Sequence, residues 1–269
     1  MSDIVCTAGP NARPYEERHD AVCIAAVSEG SFQYRSSLGT ATLVPGSLLL
    51  GNNGHCFECG HEHGTGDRCL AFQLAPDYVE AIVSAVPGAH RAEFAIPRLP
   101  PLLSVAPLLA AAEAARDDGD IAEFEELTVS VVGAVAAALN ESGGDVRAAS
   151  PRDLRRVTLA LRRIEAEAQH HSNRGLALNR LAREAAMSPY HFLRTFRQVV
   201  GVTPHQYVLR TRLHRAAVRL LRSHEAISTI AFDTGFNDLS TFNNRFRRVM
   251  GVSPSVYRAR RSHAAARGA

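Results

Sequence analysis

The 269-residue chain contains no lysine, so arginine supplies all of its permanently positive side chains. A GC-rich genome produces such a bias as readily as function does, and no chemistry is read from it. Long apolar runs are also missing. The longest nearly unbroken one, Val129 to Leu139, falls far short of the ~20 residues that a membrane helix needs. Met1 to Cys6 has no basic region ahead of an apolar one, so no secretory signal is expected. Cysteine is scarce and odd in number, at five residues. That argues against a secreted disulfide scaffold and for a cytoplasmic protein with reduced thiols. Paired catalytic carboxylates, a nucleophile elbow and a phosphate-binding loop are all missing, so the reading is not an enzyme.

What is present is a globular composition, 46% hydrophobic and 21% charged, in a chain long enough for two cores. Charge divides the chain. Residues 150–269 hold 22 arginines against seven acidic residues, a balance of +15, and residues 1–149 carry −12. An acidic half therefore stands beside a half suited to a polyanion.

Residues 20–75 read as short strands: Val22 to Val27, Ser31 to Arg35, Thr40 to Val44, Leu48 to Leu50 and Cys69 to Leu74. Turn signals at Pro45-Gly46 and at 51–54 punctuate them, which suggests a small β-sandwich or barrel. After Pro100-Pro101, Leu108 to Arg116 and Ile121 to Leu139 read as two helices broken at 117–120. The apolar face of Phe124, Leu127, Val131, Val135 and Leu139 suits either packing on the sheet or a helical dimer interface. Ser142-Gly143-Gly144-Asp145 reads as a linker. Beyond it, Ser150-Pro151, Ser188-Pro189, Thr203-Pro204 and Ser253-Pro254 each place a capping hydroxyl before a proline at the first helical position.

This last part contains a repeat. Leu181-Ala182 and Ala186 match Ile230-Ala231 and Gly235 at an offset of 49. Phe192, Phe196, Arg197, Val199, Gly201 and Tyr207 match Phe242, Phe246, Arg247, Val249, Gly251 and Tyr257 at 50, so one residue is inserted in the turn. A short helix, a tight turn and a longer helix in each copy give helix-turn-helix geometry. At about 100° per residue, Phe192, Phe196 and Val199 share one side of a helix, and Tyr190, Leu193, Arg194 and Arg197 the other. Ser240, Asn243, Asn244 and Arg247 occupy the equivalent outward positions of the second copy.

Residues 178–258 resemble the DNA-binding domain of the AraC/XylS family of bacterial transcription regulators. The resemblance is carried by Leu178 to Ala182, by Gly201-Val202-Thr203-Pro204, and above all by Ile227 to Phe236 and Phe242 to Pro254. It implies two helix-turn-helix units joined by a rigid helix at about 205–223, with recognition helices in successive major grooves. It also implies an N-terminal domain that senses an effector or dimerises. The implied partners are double-stranded DNA, a small-molecule effector, a second copy in a homodimer, and RNA polymerase if the protein activates; no membrane is involved. On this reading the chain is an α+β protein. Residues 1–105 form a small cupin-like β sensor domain, 106–145 a helical linker or dimerisation segment, and 150–262 an all-α DNA-binding domain. Tyr190, Leu193 and Arg194 are expected to read bases in one half-site, and Ser240, Thr241, Asn243 and Asn244 in the other. Arg pairs bidentately with guanine and Asn with adenine. Arg197, Arg247 and Arg248 are expected to hold phosphates.

Three of the twelve histidines and three of the five cysteines fall within residues 55–69. If 57–63 is a strand, Cys59, His61 and His63 share one face; a five-residue loop returns Cys69 to that face, whereas a four-residue loop puts it on the other. Such a Cys2His2 set suits zinc, with Cys56 in reserve. The strand–turn rhythm, Pro45-Gly46 and the pair His61 and His63 are similar to the cupin-like sensor domains of AraC-type regulators. Cupin sites typically lack cysteine ligands, which puts an oxygenase-type iron site in doubt. The alternatives are inert buried thiols, or a metal- or thiol-dependent repair-type enzyme with an appended DNA-binding domain.

Overall fold

The computed structural model describes residues 2–9, 12–61, 66–89, 91–118, 121–141, 149–169 and 178–259. His63 and the expected linker 142–145 lie outside these residues, as does the side chain of Phe124. The N-terminal strands are β1 (Ser2–Cys6), β2 (Glu16–Arg18), β3 (Val22–Gly30), β4 (Phe32–Ser36), β5 (Gly39–Leu43), β6 (Leu48–Gly51), β7 (Cys56–Gly60) and β8 (Asp67–Leu74). Then come α1 (Pro76–Ser84), β9 (Arg98–Leu99), α2 (Ala106–Asp118) and α3 (Ile121–Glu141). The C-terminal part holds α4 (Pro151–Gln169), α5 (Leu178–Glu184), α6 (Pro189–Val200), α7 (Pro204–Arg222), α8 (Ile227–Asp233) and α9 (Leu239–Met250). Residues 254–259 are helical again.

The strands form two antiparallel sheets, ordered β1-β8-β3-β6-β9 and β2-β7-β4-β5. The unbroken apolar run Val22 to Val27 is explained by its place in the five-stranded sheet, where both faces are covered. Val22, Ile24 and Ala26 join Leu48, Leu50, Leu70 and Phe72 in a core under the helices. Cys23, Ala25 and Val27 turn the other way, toward Phe32, Tyr34 and Leu43 of the second sheet. Alternate residues of a strand point to opposite faces, so a strand covered on both sides is apolar throughout.

The helices after Pro101 pack on the sheet within one chain. Val131, Val132 and Val135 of α3 and Leu109 and Ala112 of α2 belong to the core beneath it. The opposite side of α2 puts Ala110 and Ala114 into the core around α7 and α9. Thus α2 is wedged between the two halves, and small side chains let it approach both. Further links are the Arg210 guanidinium donating to the Pro101 carbonyl and the His214–Glu113 pair at 3.1 Å. Burial disfavours a charged His214, but the Glu113 carboxylate outweighs it and raises the pKa of the imidazole. Among the described residues no helix is long and apolar enough to cross a membrane.

Candidate nucleic-acid interface and the sandwich interior

The C-terminal part is built twice, bond by bond. In the first turn the amides of Ala185, Ala186 and Met187 donate to the carbonyls of Leu181, Arg183 and Ala182. In the second, Thr234, Gly235 and Phe236 donate to Ile230, Phe232 and Ala231. The turn requires a positive φ, supplied by Gly235 at 89° and by Ala186 at 50°. A β-carbon on Gly235 would lie 2.9 Å from the Arg212 guanidinium carbon, so a side chain there would also displace that guanidinium, which donates to the Gly235 carbonyl. The extra residue of the second copy falls between this turn and the next N-cap.

The longer helices are then capped alike. The Ser188 hydroxyl accepts from the His191 amide, and the Asp238 carboxylate accepts from the Thr241 amide at 2.7 Å. That bond holds the Asp238 carboxyl below its usual pKa. Each helix ends on a left-handed glycine, Gly201 or Gly251. Between them α7 starts with a full capping box, Thr203 with Gln206, and runs unbroken for 19 residues. A helix of that length spans roughly 28 Å, a stiff spacer between the two units.

Burial sorts α6 and α9 as the helical period requires. Phe192, Phe196 and Val199 are buried, as are Phe242, Phe246 and Val249. Tyr190 is 76% exposed, Arg194 and Arg197 are exposed, and Leu193 is half-buried. Ser240, Thr241, Asn243, Asn244, Arg247 and Arg248 are all exposed on α9. A shallow groove runs from Asn243, Asn244 and Arg247 to Ser253 and Ser255 at the next helix start. Arg245 borders a second groove with Thr241, Asn244 and Arg248. The expected base-reading and phosphate-holding residues therefore lie on two exposed, arginine-bearing helix faces over matching cores.

Residues 181–260 match the helix-turn-helix domain family. The MmsAB operon regulatory protein of Pseudomonas aeruginosa is 33% identical over 109 residues, 40% of this chain and 36% of that protein. An HTH-type transcriptional regulator of Mycobacterium tuberculosis is 41% identical over 81 residues, 30% of this chain and 31% of that one. The bifunctional transcriptional activator/DNA repair enzyme AdaA of Bacillus subtilis is 34% identical over 83 residues, covering 31% and 39%. Residues 181–260 are an AraC-type helix-turn-helix domain. The chain spans about a third of the length of the curated relatives it matches.

Ahead of the AraC-type domain, the sandwich interior departs from the expected hairpin. β7 ends at Gly60 and pairs with β2 and β4, whereas β8 lies in the other sheet between β1 and β3. Both edges of β8 are taken by these two partners, so it has no ladder left for β7. Cys59 and Cys69 consequently face the interior from opposite sheets, Cys59 opposite Tyr34 and Cys69 opposite Val27. Cys56 is three residues from Cys59 and so points to the other face of β7, away from it. His61 is buried and lies 2.5 Å from Asp67, with Nε2 facing a carboxylate oxygen. The Cys69 thiol donates to the other Asp67 oxygen at 3.4 Å.

Burial pushes the Cys59 thiol up to about 12, and the Glu17 carboxylate adds to the shift. Burial also raises Cys23 to about 12, and it raises Cys69, where the Asp67 charge contributes. Thiols held protonated are poor nucleophiles at neutral pH. His19 is pushed down to about 4 by burial, with His55 adding to the effect, and faces the Tyr34 hydroxyl at 2.8 Å. Sequence reasoning passed over Cys6 and Asp67, which the structure brings to His61. No local pattern marks them, because Cys6 meets Asp67 only through the pairing of β1 with β8.

Proposed function

We propose that this protein is a sequence-specific DNA-binding transcription regulator whose N-terminal sandwich controls an AraC-type domain. The observation that carries the reading is the duplicated unit, with the same turn, caps and buried aromatics and two different exposed faces. Identical scaffolds with different outward residues suit two half-sites of unlike sequence. On this reading α6 and α9 enter successive major grooves, Arg194 reads guanine, and Asn243 and Asn244 read adenine. Arg197, Arg247 and Arg248 hold phosphates. The charge of +15 on residues 150–269 supports a strong electrostatic contribution.

Control is assigned to α2, which shares one core with the sheet and another with α7 and α9. A ligand that binds the sandwich differently in two positions of α2 shifts the DNA-binding half; equal binding to both shifts nothing. The ligand class is a small effector or a metal ion. The inner thiols of Cys23, Cys59 and Cys69 are held protonated, which favours a sensor over a thiol-dependent repair enzyme. Selection of bound sequences from random duplex DNA by the full-length protein tests the regulator reading. Recovery of a bipartite consensus is expected, with affinity falling steeply with salt; recovery of no consensus overturns it.

A further inference from the structure

We infer that Cys6, His61 and Asp67 form a binding site for a divalent transition metal, with zinc the best match. The site lies where β1, β7 and β8 meet. It goes beyond the regulator reading and does not rest on it. One sulfur, one imidazole nitrogen and one carboxylate oxygen lie within 4.8 Å of one another, with His61 and Asp67 buried and Cys6 partly so.

Their closeness is specified by the backbone. Cys6 and Asp67 stand directly opposite each other in the antiparallel pairing of β1 and β8, so their side chains share a face. Gly66, at a φ of +114°, lets the chain pass so tightly that a β-carbon there would lie 2.1 Å from the Cys6 carbonyl oxygen. Gly30, at +74°, does the same against the Gly66 carbonyl, at 2.3 Å. Gly66 thus brings the end of β1, and Gly30 the end of β3, tightly onto the start of β8. His61 is held from the four-stranded side, stacked on Phe32 with ring centroids 5.8 Å apart. A bound ion would join the two sheets.

The donor set chooses the ion. Calcium and magnesium take oxygen ligands, whereas a mixed sulfur, nitrogen and oxygen set suits zinc and its neighbours. A thiolate and a carboxylate cancel the charge of a dication, and a neutral imidazole completes an uncharged complex fit for a buried place. Zinc bonds of ~2.0–2.3 Å set tetrahedral ligand atoms about 3.3–3.6 Å apart, so Cys6 draws in and His61 and Asp67 part by about 1 Å. Binding releases the Cys6 thiol proton to solvent, and the His61 proton resides on Nδ1 while Nε2 binds the metal. The Cys69 thiol, already donating to the far oxygen of Asp67, orients that carboxylate from outside the coordination sphere. Three protein ligands leave a fourth position open, as in exchangeable and reactive zinc sites.

The test is titration of the chelator-stripped full-length protein with cobalt and then zinc. One equivalent of cobalt is expected, with a thiolate-to-cobalt charge-transfer band that zinc abolishes. Cys6→Ser is expected to lose that band and to weaken zinc binding at least tenfold. Cys59→Ser is expected to keep both, since Cys59 is no ligand here. Zinc is also expected to slow amide exchange in β1 of the wild type and not in Cys6→Ser, and circular dichroism confirms that this variant is folded. Absence of stoichiometric binding to the wild type overturns the site. So does a band that survives Cys6→Ser or disappears in Cys59→Ser.

Discussion

In the first unit α6 turns Tyr190 and Arg194 outward; in the second, α9 turns Ser240 and Asn244 outward at the equivalent positions. Beneath these faces the cores share three matched rings, while Phe236 of the second core has Met187 in its place in the first. Phe192 and Phe196 have centroids 5.6 Å apart at 53°, and Phe242 and Phe246 are 5.5 Å apart at 50°. Tyr207 then meets Phe196 edge-on, as Tyr257 meets Phe246. The units differ in what holds each tyrosine. The Tyr207 hydroxyl donates to Glu165 on α4, within the DNA-binding half, at 3.2 Å. The Tyr257 hydroxyl reaches the Pro107 carbonyl, in the first turn of α2, at 3.5 Å. The buried set fixes the pose of each helix, the exposed set is left free to differ, and the second tyrosine is tied to α2.

The equivalence of the cores is broken most severely by truncating a matched ring. Phe196→Ala and Phe246→Ala are each expected to cost about 3–5 kcal/mol, since both rings are fully buried. Urea unfolding monitored by circular dichroism gives both values, and costs that differ by more than a factor of two would show that the cores are not equivalent.

The Glu165 strut is the next largest difference. Burial pushes its carboxyl up to about 7, against a usual 4.5, with the Tyr207 hydrogen bond and nearby arginines opposing the shift. The folded chain therefore keeps a proton that the unfolded chain has lost. This contribution is complete below the unfolded pKa and disappears as pH rises through the folded one. Over that window wild-type stability should fall by about 3 kcal/mol, and Glu165→Gln should remove this part of the slope. Unfolding curves from pH 4 to 8 read it directly; parallel profiles for the two proteins would place the Glu165 pKa near its ordinary value.

At the exposed faces, Arg194→Ala and Asn244→Ala are each expected to lose roughly 1–3 kcal/mol of discrimination, at base pairs in different half-sites. Arg247→Ala should instead weaken binding evenly and lower the log–log salt slope by about 0.9. Identical specificity profiles for all three would contradict the division of roles. The smallest effects are expected in the turns. Ala186→Gly relieves a left-handed alanine and should stabilise by about 0.4–1 kcal/mol, whereas Gly235→Ala should destabilise by more than about 1 kcal/mol. Thermal melts of the two variants separate them.

The helical half was legible because its signals are local. Proline after serine or threonine marked the starts of α4, α6 and α7, and the phenylalanine spacing marked the buried faces. The sandwich was legible only as strands. Val22 to Val27 and Cys69 to Leu74 announced themselves by composition, but the sheet each strand joins depends on long-range pairing. Hence Cys59 and Cys69 were expected on one hairpin, while the structure sets them on facing sheets. β1 and α1 escaped notice. Ser2 to Cys6 is too short and too mixed to read as a strand, and Pro76-Asp77 opens α1 without a capping hydroxyl before it.

The central claim is that two unlike reading faces ride on one repeated scaffold. The most direct measurement is selection of bound sites from random duplex DNA by the full-length wild type, by Arg194→Ala and by the double variant Asn243→Ala, Asn244→Ala. The account predicts two specified clusters about one helical turn apart. Arg194→Ala should erase a preference in one cluster only, and the double variant a preference in the other only. A single cluster, or loss of the same base preference in both variants, would contradict it.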